Sequence, residues 1–294
     1  MKRLILPLHL IIILLVISCE KPQIPSGINR TDGGDEANLV VTVYQLETVL
    51  FPVSSTRAEI SQFCTRLNFA VYDSLNVRVD QVNQQVGDKD FGVARFSLDP
   101  GRYRVVVVAH NSNGHPTMTN PAQIQFKNNQ GFSDTFIDND TVTVSDTEGT
   151  TLSVQLNRIA SMCRFVITDS IPQGVAQMRF LYKGGSGAFD ASTGLGSVNS
   201  TQIESFPVEA GQDSTSFDLY TYLHDTEGTI HLQATAYDAD NNVVRDHEFD
   251  VPLKRRMITK FSGPYFSGSS TSSSGITIVI GIDAEWEGEQ EITY

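Results

Sequence analysis

Residues 102–110 read Arg-Tyr-Arg-Val-Val-Val-Val-Ala-His, with four valines in a row. β-Branched side chains crowd a helix and suit a pleated strand, so this apolar run fits a central β-strand. It follows Asp99-Pro100-Gly101, a strong turn signal. Further strand-like runs lie at 38–44, 63–72, 93–98 and 151–156, with shorter ones at 124–126, 134–137 and 141–144. No helical periodicity of ten or more residues precedes residue 157. The second half repeats the pattern, with runs at 162–168, 177–182, 216–222, 230–238, 247–251 and 276–282. A Ser/Gly/Thr stretch at 267–275 precedes the last run. The expectation is an all-β chain.

A faint internal repeat divides it. Phe69-Ala-Val-Tyr-Asp73 matches Phe165-Val-Ile-Thr-Asp169, and Phe96-Ser-Leu98 matches Phe217-Asp-Leu219. Two β-sandwiches in tandem follow, at 38–156 and 157–294.

The N-terminus sets the compartment. Lys2 and Arg3 precede an apolar run at 4–17, broken only by Pro7 and His9. That run is shorter than the ~20 residues needed to span a membrane and fits a signal peptide. It closes in Leu15-Val16-Ile17-Ser18-Cys19, which resembles the lipobox of bacterial lipoproteins. Residues 1–18 are then removed and Cys19 carries the lipid; an uncleaved anchor or an ordinary export signal is the alternative. Residues 19–37, rich in Pro, Gly and polar side chains, read as a flexible tether.

Charge excludes whole classes of partner. Lys plus Arg is 21 against 34 for Asp plus Glu, a net charge of −13; without Lys2 and Arg3 it is 19 − 34 = −15. A nucleic-acid binder needs a basic surface, and so does a polybasic membrane-surface protein. At 40% hydrophobic residues the chain is not disordered either.

With Cys19 lipidated, Cys64 and Cys163 remain. An oxidising periplasm allows them to pair, and two buried small hydrophobes is the alternative. No HExxH, CxxC, GxSxG or P-loop is present, so no catalytic residue, metal or cofactor is expected and the chain reads as a non-enzyme. His110 and His115 flank a turn-rich segment and read as two loop histidines. Asp238-Ala-Asp240-Asn-Asn242 starts like a calcium loop, but Val243 and Phe249 stand where it needs Gly and Glu, so a hairpin turn fits better. Gly184-Gly-Ser-Gly187 reads as a flexible loop.

Several segments together look like the fimbrial proteins of the type V pilus. They are the lipobox Cys19, the run Gly101–His110, Leu156-Asn-Arg158 leading into Arg164-Phe-Val-Ile-Thr-Asp169, and Val251-Pro-Leu-Lys-Arg-Arg-Met-Ile-Thr259 leading into Ser262-Gly-Pro-Tyr-Phe266. The branch resembled is the fimbrillin-A associated anchor protein family. The resemblance implies two transthyretin-like β-sandwich domains and a lipid anchor in the outer membrane. It implies other fimbrial subunits as partners, with a host or bacterial surface ligand. It also implies assembly by strand addition, where a strand from a neighbour fills a groove opened by an arginine-specific protease. Arg30 and Arg57 are the candidate cut sites. The competing readings are a processed stalk or tip subunit, or a surface lipoprotein that binds glycans.

Overall fold

The apolar runs become strands, and the strands pair mostly with partners far away in sequence. The structure, a computed structural model, describes residues 37–46, 49–50, 64–267, 279–281 and 289–294. In the first half these form β1 (Leu39–Leu46), β2 (Val49–Leu50), β3 (Arg66–Tyr72), β4 (Arg78–Gln85), β5 (Val93–Phe96), β6 (Gly101–His110), β7 (Thr117–Asn120), β8 (Gln123–Gln125), β9 (Thr135–Val144) and β10 (Thr150–Arg158). In the second half follow β11 (Ser161–Ile167), β12 (Gln177–Lys183), β13 (Ala188–Phe189), β14 (Gln202–Pro207), β15 (Thr215–Thr221), β16 (Glu227–Tyr237), β17 (Val243–Lys254), β18 (Ile258–Gly263), β19 (Val279–Gly281) and β20 (Glu289–Thr293). The chain is all-β, as expected; one short 3₁₀ turn, Asn128–Gln130, interrupts the described strands.

The first half is a sandwich. One layer runs β9-β6-β3-β4, antiparallel throughout. In the other, β1 lies parallel to β10, with β5 and β2 on its far edge. The last residues of β10, Asn157 and Arg158, reach back to pair with Ile137 and Phe136 of β9 and so join the layers. Between them lies a core of Leu39, Val41, Leu67, Phe69, Val105, Val107, Val154 and Leu156.

The second half is a second sandwich. Its sheets are β15-β11-β18-β20-β19 and β14-β12-β16-β17. Its core is aromatic: Phe165 packs against Phe180 at 5.3 Å, Phe249 at 5.5 Å and the C-terminal Tyr294 at 5.3 Å between ring centres. Of the expected run 276–282, residues 279–281 are described, as strand β19.

A third apolar layer covers the outer face of β3 and β6. Alternate residues of those strands, Ala70, Tyr72, Val106 and Val108, pack on Met118, Ile124 and Phe126 from β7 to the 3₁₀ turn, and on Phe189 and Tyr222 of the second half. The valine run is therefore buried on both faces, which is why it lacks alternation.

Three readings need correction, and one open choice is decided. The strands β4, β7 and β14 were not evident from the sequence: they read RVDQVNQQ, TMTN and QIESFP, too polar or too short to stand out. The segment 184–187 is not a loose loop. Ser186 bridges to Tyr222, Gly184 sits at φ 95°, and nearby at Gly196 a Cβ would lie 2.6 Å from the Tyr222 carbonyl oxygen. His110 is no loop residue but the fully buried end of β6. Of the two readings open for Cys64 and Cys163, the structure has the second: they form no disulfide with each other, and Cys64 packs in the first core and Cys163 in the second. Burial pushes both thiols up, Cys64 to about 12, as suits small core hydrophobes. The turn at Asp238 is the expected hairpin, with the Asp238 carboxylate accepting from the Asp240 and Asn242 backbone N–H groups at 2.9 and 2.8 Å.

Candidate functional site

The element most relevant to strand addition is β1. Its sequence, LVVTVYQL, alternates up to a register shift after Val43: Leu39, Val41, Val43 and, beyond the shift, Leu46 are no more than 3% exposed and form the floor of the first core. Burying each contributes roughly 1.5–3 kcal/mol. The backbone of β1 is bonded on both edges. On one side Leu39–Val43 run in register with Thr150–Val154 of β10, and on the other Leu39–Thr42 pair with Val93–Phe96 of β5.

Side chains clamp the two ends of the β1–β5 pair. Asn38 Nδ2 donates to the Leu98 carbonyl at 2.7 Å, and its Oδ1 accepts from the Leu98 N–H at 3.0 Å. At the other end Val43 N–H donates to the Gly92 carbonyl at 3.0 Å. Gln84, the one buried residue of β4, holds that corner: Nε2 donates to the carbonyls of Asp90 and Val93 at 3.0 and 2.9 Å, and Oε1 accepts from Gly92 N–H at 2.9 Å. Nothing in a polar stretch such as Gln-Val-Asn-Gln-Gln marks Gln84 as the buried member.

Cys19, Arg30 and Arg57, the residues expected to carry lipid and processing, lie outside the described residues. In sequence Arg57 falls between β1 and β3, and Arg30 precedes β1.

His110 and His115 belong to one polar network centred on Asn68. His110 Nε2 donates to Asn68 Oδ1 at 2.8 Å, and the Asn68 amide donates to Asn83 Oδ1 at 2.7 Å and to His115 Nδ1 at 2.8 Å. Ser112 N–H occupies His110 Nδ1 at 3.1 Å. Both ring nitrogens of His110 are thus used in its neutral form, and burial, helped by His115 and Arg66, drives its pKa down to about 3. The network reads as a satisfied structural one. Two carboxyls shift the other way. Burial raises Glu204 to about 7 although it accepts from Phe132 N–H, and burial with Asp140 nearby raises Asp138 to about 6. Among the described residues, no group of three His, Cys, Asp or Glu side chains is placed to hold a metal ion. Nor, among them, is any helix long and apolar enough to cross a membrane.

Fold and site thus define an all-β protein of two sandwiches, in which the first described strand closes the core of the first sandwich. The chain belongs to a family of unknown function, DUF6562, whose model matches residues 31–294. Among curated proteins none matches it. Three solved structures illustrate what it is similar to. The fimbrial anchor protein Mfa2 from Porphyromonas gingivalis is 14% identical, with TM-score 0.41, over 72% of this chain and 82% of that one. A fimbrial assembly protein from Parabacteroides distasonis ATCC 8503 is 14% identical, with TM-score 0.33, over 78% and 91%. A protein described as a candidate adhesin from Bacteroides ovatus ATCC 8483 is 16% identical, with TM-score 0.48, over 76% and 87%.

Proposed function

We propose that this protein is a structural subunit of a surface fimbrium, held in the outer membrane by acyl chains on Cys19, and that it anchors the fibre. The carrying observation is β1: a strand near the N-terminus, paired on both edges, whose four apolar side chains floor the first core. Such a strand is what strand addition exchanges. Without it, β10 and β5 would present unpaired N–H and C=O groups along a groove lined by Phe69, Val107 and Leu156, and an extended segment of a partner could fill it. Cleavage after Arg57 would sever β1 and the lipid from the remaining strands; cleavage after Arg30 would remove the lipid and leave β1 in place. An anchor keeps both. The order of motifs from Cys19 to Phe266 supports the same family of fimbrial proteins.

The test is mass analysis of the N-terminus of the protein taken from purified outer membranes, together with its polymer state. The expected result is an acylated Cys19 on protein recovered in high-molecular-weight complexes with other fimbrial subunits. A start at Ala58 turns the reading to a polymerising stalk or tip subunit, and a start at Thr31 removes the anchor. A monomer found in no surface fibre sinks the fimbrial reading.

A further inference from the structure

The four-stranded sheet β14-β12-β16-β17 buries one face in the second core; part of its other face forms a shallow depression. Arg179, Thr235 and Asp246 stand in one row across β12, β16 and β17. Leu181 and Gln233 pair in the row on one side, Tyr237 and Val243 in a row on the other. Together these seven side chains line a depression of about 170 Å³.

Its polar groups are arranged asymmetrically. The Asp246 carboxylate accepts from Thr235 Oγ1 at 2.6 Å and from Gln233 Nε2 at 2.9 Å, which fixes its orientation. Arg179, half-buried, has neither a hydrogen bond nor an ion pair among the described residues. A guanidinium offers five N–H donors in a rigid fork, and here they remain available to a ligand. Beside it Val243 is 60% exposed. A planar donor without a partner among the described residues, an oriented planar acceptor and an apolar flank of Tyr and Val are thus collected in one place.

We propose that this depression binds one ring of a neutral saccharide. Neighbouring ring hydroxyls accept from the Arg179 fork and donate to the Asp246 carboxylate, since planar bidentate groups match pairs of adjacent oxygens. The C–H face of the ring lies against Tyr237 and Val243, the combination of apolar wall and few placed polar groups typical of small-ligand sites. Charge selects neutral over acidic sugars. Beyond Asp246 the same face of β17 continues with Glu248 and Asp250, and the chain carries −13 overall. An anion would meet that field. The site rests on the sheet face alone and holds whether or not the chain enters a fibre, so either idea can fail without the other.

The test is a titration of the lipid-free full chain, followed by backbone amide NMR, with methyl α-mannoside, methyl β-galactoside and methyl β-glucoside at millimolar concentration. Expected are saturable shifts for at least one sugar at Arg179, Gln233, Thr235 and Tyr237. Arg179→Gln and Asp246→Asn should each weaken that binding by about tenfold or more, as loss of a charged hydrogen-bonding group predicts. Arg102→Gln, exposed on β6 of the first sandwich, should leave it unchanged. Thermal melts of the variants check that they fold. No shift with any of the three sugars, shifts confined to other residues, or binding indifferent to both variants overturns the proposal. A response to N-acetylneuraminic acid alone also overturns it, in favour of a carboxylate site.

Discussion

Two sheets of this molecule, β9-β6-β3-β4 in the first half and β14-β12-β16-β17 in the second, do the same job on one face and opposite jobs on the other. Both floor a sandwich core. The first is covered again on its outer face by the layer around Met118, Phe126 and Tyr222, so Val105 to Ala109 are all fully buried. The second leaves part of that face to solvent, and β16 alternates buried Ile230 and Leu232 with exposed His231 and half-buried Gln233. The difference teaches that an unbroken apolar run records cover on both sides, and alternation records an open face. It also places the only candidate ligand site we assign on the sheet that has a face to spare.

The comparison can be broken by substitution, and the largest effect should come from the covered face. Val106 points away from the first core into the covering layer. Val106→Asp is expected to abolish folding or cost more than about 4 kcal/mol, because an unpaired carboxylate would be buried there. Urea unfolding or the soluble yield reads this. A near-neutral result would mean that the outer face of β6 is open like that of β16.

Acid should come next and act on the cover. His110 closes β6, and its ring lies edge-on to Phe126 of the covering layer at 4.8 Å. Its folded pKa of about 3 lies below the ~6.5 of an unfolded histidine. Between those values the unfolded chain binds the extra proton, so this contribution is whole above pH 6.5 and is lost as pH falls towards 3. The raised carboxyls of Glu204 and Asp138 act in the opposite sense over the same range, so the His110 contribution is read as a difference. His110→Gln, less stable overall at pH 7.5, should lie closer to the unsubstituted protein in urea midpoint at pH 5; a gap that stays constant assigns the acid sensitivity elsewhere.

The smallest effect belongs to the open face. His231 pairs with Asp250 at 2.5 Å, but the two side chains are 68% and 73% exposed. His231→Thr should change stability by less than about 0.5 kcal/mol in the same urea assay, as exposed pairs do. A loss of several times that would show that something covers this face in solution, contrary to the comparison.

Much of this was legible in the sequence. The valine run, the Asp-Pro-Gly turn and the alternation of 230–237 gave the strands and the all-β class, because side-chain period and turn chemistry are local. The edge strands β4 and β14 were hidden, since an edge facing water tolerates polar residues such as Asn83, Gln85 and Ser205. The depression on the second sheet was hidden for another reason. Arg179, Gln233 and Asp246 lie 54 and 13 residues apart, and only strand register sets them side by side.

By itself, then, the sequence determined most of the strands, the acidic net charge and the lack of a recognisable catalytic motif. These rest on neighbours along the chain or on composition, and neither needs a fold to be read. Tertiary structure alone decided that Cys64 and Cys163 belong to different cores, that His110 is buried, that β1 is clasped between β5 and β10, and that one sheet keeps an open face. Each of these depends on which distant strands pair and in what register, and such pairings are fixed by the joint burial of side chains from the whole chain.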